Sequence, residues 1–382
     1  MGRRWRLACV AATATYLLGM PAAAGASGLP ATALAKAALA KGTPAKGTPA
    51  KGAPAKGTPV CRVRDDRLTE ISGMAAVDGG FVVVNDSADE EPRRRIFFLD
   101  AGCAVVRTVR YPSRPRDTED LAVGPDGTIW VADIGDNDRT RETVAVWTLP
   151  PGGARPALRR MRYPDGPHDA EAVLLTGDGR PIIVTKEPSA AGLYAPATAP
   201  RAGATAPLTQ LGRVDLPATT TSNPFSIFGR ALITGGATAP DGRRVVLRTY
   251  SDAFEFDVPD GDVVAALTRG TPRIVPLPDE PQGESVTYSR DGRSLLTVSE
   301  TADQPPGTRP EILRYPLPTP AAGRTGAAAP AGRDGAGART PAARPGAAGA
   351  HRARPVLLAA GAIGLVGIGL LIAGLARARR NR

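Results

Sequence analysis

Histidine and cysteine are scarce in this chain of 382 residues, which contains two histidines and three cysteines. His168 alone lies in the middle of the chain, so a metal site built from several histidines is excluded there. A Ser-His-Asp triad would depend on His168, and no G-x-S-x-G motif accompanies it. The sequence also lacks a P-loop and a dinucleotide-binding glycine motif, which argues against the common nucleotide-dependent enzymes.

The two ends of the chain predict export and a membrane anchor. Three arginines, an apolar stretch and a run of small residues make residues 1–26 a predicted signal peptide. Residues 355–377 contain an uncharged stretch long enough for one transmembrane helix, with a buried core helix as the alternative. The basic segment 378–382 follows at once, which predicts a cytoplasmic C-terminus. The expected location is the cell membrane, with a single pass and an extracellular N-terminal part.

Two segments rich in proline and small residues join these ends to the middle. Residues 27–59 repeat Lys, Gly, Pro, Ala and Thr, and residues 318–354 consist mostly of Ala, Gly, Pro and Arg. Neither buries enough apolar surface to offset chain entropy, so both are predicted to be disordered. Their positive charge favours contact with anionic cell-wall polymer or lipid headgroups, and a protein ligand is a further candidate.

The charge of the middle segment differs from that of the whole chain. Residues 61–317 contain 30 Lys and Arg against 36 Asp and Glu, a net charge of −6, whereas the whole chain carries +11. Nucleic-acid-binding domains usually present a basic face. An acidic, exported domain therefore argues against a nucleic-acid partner.

Two cysteines, Cys61 and Cys103, remain after the predicted signal peptide. In an oxidising exterior an even pair predicts a disulfide, with two buried free thiols as the alternative. A paired cysteine is not a nucleophile, which argues against thiol catalysis.

A hairpin pattern recurs along residues 60–317. Each copy is a short strand, a turn led by Asp and Gly, and a second strand rich in Val, Ile and Leu. Glu119, Glu171 and Glu284 each precede the turn Asp by seven residues, and Thr234 takes the same place in a fourth copy. Further segments with a strand-like pattern follow each hairpin. The copies cover 71–87, 118–137, 169–187, 233–252 and 283–300.

Four strands per unit, repeated about every fifty residues, predict an all-β fold of the β-propeller class. Five blades are favoured and six is the alternative, because 188–232 is long and weakly patterned. A β-sandwich explains the strands but not the fixed register. The last unit lacks a fourth strand, so the strand at 60–65 is predicted to complete it, with the Cys61–Cys103 disulfide beside the closure.

Acidic residues bracket the hairpins where the first strand starts and the second ends. In a propeller both points lie at one mouth of the central channel. These residues are candidate metal or ligand groups, with His168, Lys186, Arg248 and Tyr250 as rim residues. The candidates are Asn85, Asp86, Glu119, Asp133, Asp136, Glu171, Glu187, Glu284 and Glu300.

Gathered carboxylates repel one another and need a partner. One candidate is Ca²⁺, which takes six to eight oxygen ligands. Another is an internal cation, Lys186 or Arg248. The third is water and backbone N–H groups, with the glutamates fastening neighbouring blades. A catalytic role is the remaining alternative, and no catalytic residue is assigned.

The motifs VVVNDS, TEDLAVGPDGTIWVADIGDN, YPDGPHDAEAVLL and GESVTYSRDGRSLLTVSE resemble those of secreted or membrane-anchored β-propeller proteins of actinobacteria, WD-repeat-like and of unknown function. The hairpin ends are more distantly similar to esterase-like, phytase-type propellers. That likeness implies Ca²⁺-dependent phosphoesterase activity as the alternative function. The main prediction is a cell-surface propeller that binds a ligand or cation at an acidic channel mouth. No catalytic activity is part of this prediction.

Overall fold

The computed structural model describes residues 54–318, except Ser87 and Ser189. The predicted signal peptide, the transmembrane helix and nearly all of both linkers lie outside these residues. Within the described part, the structure contains no helix that is long and apolar enough to cross a membrane.

Most regular elements of the described chain are β-strands. One short α-helix, α1, and three 3-10 helices of three residues each interrupt them. In chain order the elements are β1 (Thr58–Arg62), β2 (Ile71–Val77), β3 (Gly80–Asn85), β4 (Arg95–Asp100), β5 (Val105–Arg110), β6 (Thr118–Val123), β7 (Ile129–Asp133), β8 (Val144–Leu149), β9 (Ala157–Arg162), β10 (Ala170–Leu175), β11 (Pro181–Thr185), β12 (Ala190–Pro196), β13 (Thr205–Asp215), β14 (Ile233–Thr238), β15 (Arg244–Thr249), β16 (Asp252–Asp257), α1 (Val263–Arg269), β17 (Arg273–Pro276), β18 (Gln282–Tyr288), β19 (Ser294–Glu300) and β20 (Glu311–Pro316).

The strands form antiparallel groups of four, in the orders β2-β3-β4-β5, β6-β7-β8-β9, β10-β11-β12-β13, β14-β15-β16-β17 and β18-β19-β20-β1. A short parallel pairing between β9 and β13 joins the second group to the third. The first strands of the groups contact one another in a closed ring, and β18 touches β2. This is a β-propeller, with its first strands around the channel. The described residues contain no sixth group of four, so segment 188–232 does not supply one.

The Asp-Gly turns form the tight ends of the first hairpin in every group. Their glycines all have positive φ, between +66° and +81°, a conformation that glycine adopts without steric cost. They are Gly79, Gly127, Gly179, Gly242 and Gly292. The repeated Asp-Gly signal is therefore a conformational requirement of these turns.

The ring closes as the sequence predicts. Strand β1 pairs antiparallel with β20 and so completes the last group, although it begins at Thr58 rather than at residue 60. The predicted disulfide is confirmed, because Cys61 on β1 is bonded to Cys103 in the turn between β4 and β5. It links the last blade to the first. Closing a loop of 42 residues stabilises the fold by about 4 kcal/mol in the chain-entropy model.

The core consists of five apolar layers, one in each gap between neighbouring blades. The two inner strands of each blade bury both faces, which explains continuous apolar runs such as Val82–Val83–Val84 and Ile182–Ile183–Val184. The gap between the first and second blades holds Trp147, and the gap between the fourth and fifth holds Tyr288. Apart from buried contacts between blades, such as the Arg248–Glu280 pair, the polar sites therefore lie at the ends of the strands.

Candidate functional site

A β-bulge lies at the same place near the start of all five inner strands. In each hairpin the pairing skips one residue between two consecutive partners, for example between Thr118 and Asp120. A bulge re-aims the unpaired side chain out of the regular alternation of the strand. The skipped residues are Ser72, Glu119, Glu171, Thr234 and Glu284. These are the positions aligned by the seven-residue spacing to the turn.

Two of the five bulged residues fasten neighbouring blades. The Ser72 hydroxyl donates a hydrogen bond to the carbonyl of Thr118 on the second blade, at 3.0 Å. The Thr234 hydroxyl donates to the carbonyl of Gly283 on the fifth blade, at 2.9 Å. Both side chains are fully buried. At these blades the bulge therefore provides a structural tie.

The other three bulged residues bring carboxylates together at the mouth of the channel. Glu119 is only 3% exposed, and its pKa is raised well above the usual range by burial and then by Glu171, Asp86, Asp117 and Glu284. This set of interactions places carboxylates of several blades in one electrostatic neighbourhood. The mouth therefore favours a proton or a cation.

Lys186 provides one internal cation at the mouth. Its Nζ lies 2.5 Å from Glu171 Oε1 and 5.7 Å from the centre of the Tyr250 ring. Burial acts to lower the pKa of Lys186, but Glu171 and the neighbouring carboxylates outweigh it, so the net pKa is raised. Burial also raises the pKa of Glu171, against the opposing effect of Lys186. The predicted rim residues Lys186 and Tyr250 therefore do meet the acidic mouth.

Glu284 and Glu300 face one another across Gln282. The Gln282 amide donates to Glu284 Oε1 at 3.1 Å and to Glu300 Oε2 at 2.6 Å. Glu300 is 6% exposed, and its Oε1 has no hydrogen-bond partner among the described residues. Burial, followed by Glu284 and Asp86, raises its pKa. At this corner of the mouth, the acceptor atom Glu300 Oε1 has no hydrogen-bond donor among the described residues.

Three carboxylates at the junction of the first and second blades lie closer still. Asp86, Asp117 and Glu119 each offer an oxygen, and these oxygens lie within 4.8 Å of one another. Gly135 packs directly against two of them, because a Cβ there would lie 2.0 Å from Glu119 Oε1 and 2.7 Å from Asp117 Oδ2. The glycine of the DIGDN segment therefore gives this cluster its space.

Register explains which residues after the second strand reach the mouth. The residues opposite the position before the bulge are Asn85, Asp133, Thr185, Thr249 and Ser299. The next position holds Asp86, Lys186, Tyr250 and Glu300, which make the mouth contacts described above. The second blade has the buried Ile134 there. Asp133 is therefore one residue out of register with the mouth.

Asp133 and Asp136 serve the loops around them. Asp133 accepts hydrogen bonds from the backbone N–H groups of Arg116 and Asp117, from Arg141 Nη2 and from Trp147 Nε1. Asp136 accepts from the backbone N–H of Thr140 and of Arg141. These donors occupy both carboxylates, so the structure gives each of them a local structural role.

His168 and Glu187 belong to a polar cluster at the entry of the third blade. The two ring nitrogens of His168 lie 3.2 Å from Glu187 Oε1 and 3.0 Å from Asp165 Oδ1. Arg213 Nη2 donates to Glu187 at 2.8 Å, and the ring of Tyr194 packs against the imidazole. Glu187 is thus engaged by groups of its own blade.

Arg248 does not lie at the rim, contrary to the sequence prediction. It is completely buried between the fourth and fifth blades, where Nη2 contacts Glu280 Oε2 at 3.0 Å. Its Nη1 donates to the carbonyl of Ser285 at 2.8 Å. The side chain starts from a strand position that points into the gap between blades, so it fastens them together.

Asp120 is the main polar residue of the channel that sequence reasoning missed. Its Oδ2 accepts hydrogen bonds from the backbone N–H groups of Val173 at 3.0 Å and Gly236 at 3.3 Å. These groups belong to the inner strands of the third and fourth blades. Burial raises its pKa well above the usual range, while the backbone N–H donors lower it. Asp120 directly follows a bulged glutamate, and the equivalent residues elsewhere are Gly73, Ala172, Gly235 and Ser285, a contrast that could have signalled it.

A small cavity adjoins the carboxylates at the junction of the first and second blades. Asp86 and Asp117 form one side of it, and Asn85, Arg95 and Tyr111 contribute buried polar atoms without a hydrogen-bond partner in the described chain. These atoms are Asn85 Oδ1, Arg95 Nε and Tyr111 Oη. Arg95 and Tyr111 lie outside the repeated hairpin, so the repeat could not reveal them.

Comparison with known proteins gives no family. No family model matches the chain, and no curated protein matches it. The solved structures that match include a luciferin-regenerating enzyme, at 13% identity and a TM-score of 0.38 over 66% of this chain and 78% of that one. A gluconolactonase from Xanthomonas campestris matches at 17% identity and a TM-score of 0.37, over 69% and 98%. Virginiamycin B lyase from Staphylococcus aureus matches at 10% identity and a TM-score of 0.32, over 68% and 73%. At such TM-scores these likenesses carry no argument, and the propeller rests on the strand pairing of this chain.

Proposed function

We propose that the protein is a cation-binding cell-surface propeller, with a divalent cation held at the junction of the first two blades. Asp86, Asp117 and Glu119 supply the proposed ligands. Ca²⁺ is the best candidate, because it prefers carboxylate and carbonyl oxygens and tolerates irregular geometry. The three oxygens within 4.8 Å of one another carry the proposal.

A second observation supports a cation at this mouth. Glu300 is only 6% exposed, and its Oε1 has no hydrogen-bond partner among the described residues. Its pKa is raised by burial and by neighbouring acids that include Asp86 of the proposed site. A buried carboxylate oxygen without a donor is costly unless a proton or a cation approaches it.

The positions of the internal cations favour the same corner. Lys186 pairs with Glu171 on the third blade, and Arg248 pairs with Glu280 in the gap between blades. In the described chain no Lys, Arg or His forms a salt bridge with Glu119. The same holds for Glu284 and Glu300, so an added cation at the mouth would compensate the charge of carboxylates that have no internal cation.

The exit of the chain supports presentation of this mouth at a surface. The backbone N–H of Leu317 donates to the carbonyl of Arg293, in the turn between β18 and β19. That turn is at the opposite end of the strands from the bulged glutamates. The described chain therefore leaves the propeller at the end away from the acidic mouth.

Thermal unfolding of the full chain in detergent tests the proposal. Ca²⁺ at one hundred times its dissociation constant adds about 2.7 kcal/mol to stability by mass action, so the melting temperature should rise by several degrees relative to EDTA. Asp117→Asn and Glu119→Gln should remove this rise. Asp78→Asn, a matched change at a carboxylate on the opposite face whose side chain is 92% exposed, should keep it. No rise with the unmodified chain at millimolar Ca²⁺ would refute the cation site.

A further inference from the structure

We propose that the cavity beside the cation site binds one hydroxyl group of a polyol or sugar, whose neighbouring hydroxyl replaces water on the cation. This inference rests on the proposed function and names the class of ligand. Its basis is the set of three unpaired polar atoms around the cavity, Asn85 Oδ1, Arg95 Nε and Tyr111 Oη.

The donor and acceptor types of these atoms select a hydroxyl group. Arg95 Nε can only donate, Asn85 Oδ1 can only accept, and the Tyr111 hydroxyl can do either. A hydroxyl group has one proton and two lone pairs. It can donate to Asn85 while it accepts from Arg95 and Tyr111. An ionised carboxylate or phosphate oxygen has no proton for Asn85. It would face Asp86 and Asp117, and also Arg94 and Arg116, which line the same cavity.

The side chains that carry the three unpaired atoms are held in place by their other contacts. The Arg95 guanidinium is oriented by Nη2, which donates to Glu91 Oε2 at 2.9 Å. The Asn85 amide nitrogen donates to the carbonyls of Arg67 and Arg93, so its oxygen points elsewhere. The Tyr111 ring packs against Trp147 with the centres 5.2 Å apart. Burial raises the pKa of Tyr111, so its hydroxyl keeps the proton.

The size of the cavity sets how much of a ligand can enter. It holds about 10 Å³, which is room for one water-sized group. One hydroxyl therefore enters, and the rest of the ligand stays outside. Because Asp86 and Asp117 line the same cavity and are proposed cation ligands, an adjacent hydroxyl lies on the side of the cation. Neutral oxygen atoms are suitable ligands for Ca²⁺.

Coupling between sugar and cation provides the test, because linkage is reciprocal. The dissociation constant of Ca²⁺ for the full chain in detergent is measured by titration calorimetry with and without 100 mM D-mannose. The expected result is a fivefold or greater gain in Ca²⁺ affinity. Fivefold is about the smallest change in affinity that is typical of coupled binding sites. Tetrahydropyran, a ring of similar size without hydroxyls, should give no gain.

Two variants and a matched control locate the effect. Tyr111→Phe removes one hydroxyl, and Arg95→Lys removes Nε while it keeps a positive charge near Glu91. Each should reduce the gain to less than twofold. Tyr163→Phe is the control, because Tyr163 also has a buried hydroxyl without a partner, in the layer between the second and third blades. It should keep the full gain.

The outcomes separate this inference from the cation site. If Ca²⁺ binds but mannose has no effect, the cavity holds water alone and the inference is overturned while the cation site stands. If inorganic phosphate tightens Ca²⁺ binding and mannose does not, the ligand is an oxyanion and the inference is equally overturned. A gain that survives in both variants would place the sugar elsewhere and would also refute it. If Ca²⁺ itself does not bind, the proposed function fails and this inference fails with it.

Discussion

The two mouths of the channel are built by the same five strands and have opposite chemistry. At one mouth the strands begin, and bulged residues bring Glu119, Glu171 and Glu284 together. At the other mouth the strands end in a funnel of about 800 Å³. Its wall is more apolar than polar, with small or branched residues such as Ala75, Leu121, Val123, Leu175 and Ala237. The charged residues Asp78, Asp241 and Arg290 also line it.

The difference between the mouths arises from backbone geometry. Regular alternation continues to the turn end, so the inward residues there follow the ordinary pattern of the strand. A bulge interrupts the alternation at the start, and the extra residue can point into the channel without a place in the apolar layers between blades. The repeat therefore gathers buried carboxylates at one end of the ring, whereas the turn aspartates at the other end, such as Asp78 and Asp241, are exposed. Asp120 lies between the two regions and is held by N–H groups of two other blades.

Of the substitutions considered, replacement of Asp120 should have the largest effect on the stability of the ring between the two mouths. Asp120→Ala leaves the N–H groups of Val173 and Gly236 without their acceptor, and each buried unpaired group costs about 1–3 kcal/mol. We expect a loss of about 3 kcal/mol in the free energy of unfolding, measured with urea. Asp120→Asn keeps an acceptor oxygen and should lose less. A loss below about 1 kcal/mol for the alanine variant would show that Asp120 does not hold the strands together.

A pair of glycine substitutions compares the two mouths directly. Gly135→Ala forces a methyl group against Glu119 and Asp117, so we expect a loss of about 1–3 kcal/mol and the disappearance of the Ca²⁺-dependent rise in melting temperature. Gly177→Ala at the funnel meets no atom within 4 Å and should change neither quantity. If the two substitutions had equal effects, the close packing of Gly135 against Glu119 and Asp117 would not explain the loss.

The pH dependence of stability should differ between the unmodified chain and Glu300→Gln. Burial raises the folded-state pKa of Glu300, so the folded protein binds this proton more tightly than the unfolded chain. Stability should therefore fall as pH rises from the ordinary carboxyl range through the raised pKa of Glu300, and acidification should restore it. Urea unfolding in EDTA at about pH 5 and about pH 8 measures the effect, which we expect to be on the order of 1 kcal/mol.

Glu300→Gln removes the ionisation of this side chain and should show a smaller difference between the two pH values. Glu119 and Glu171, whose pKa values are also raised, should leave part of the difference in place. Identical pH profiles for the two proteins would contradict a contribution from Glu300.

Much of the site could be predicted because it belongs to the repeat. The seven-residue spacing from Glu119, Glu171, Glu284 and Thr234 to the turn Asp is the length of one strand, and strand length fixes which residue meets the channel. The bulge at each of these positions agrees with that spacing. Register after the second strand was harder to predict, because a shift of one residue moves a side chain to the other face. Asp133 was placed at the mouth for this reason, whereas the buried Ile134 takes that position in the second blade; Asp86 of the first blade, also predicted, does lie at the mouth.

Residues outside the repeat could not be placed without the fold. Asp117 joins Glu119 and Asp86 because the loop between two blades passes beside the first hairpin. Arg95 and Tyr111 come from the strand after that hairpin and from the loop to the next blade, yet they line the same cavity. Tyr111 lies in an Arg-Tyr-Pro motif that recurs at 162–164 and 314–316, but this motif does not show which polar groups it meets.

The sequence by itself determined the number of repeated hairpins, the closing strand, the cysteine pair and the concentration of acid at strand starts. Local rules are sufficient for these features, because turn chemistry, strand alternation and an even cysteine count act over short distances or as simple pairings. Tertiary structure alone decided which acids face one another and which acids accept local hydrogen bonds instead. It also decided that Arg248 lies between blades. These outcomes depend on contacts between residues of different blades, and the direction of a side chain across such a gap is set by packing.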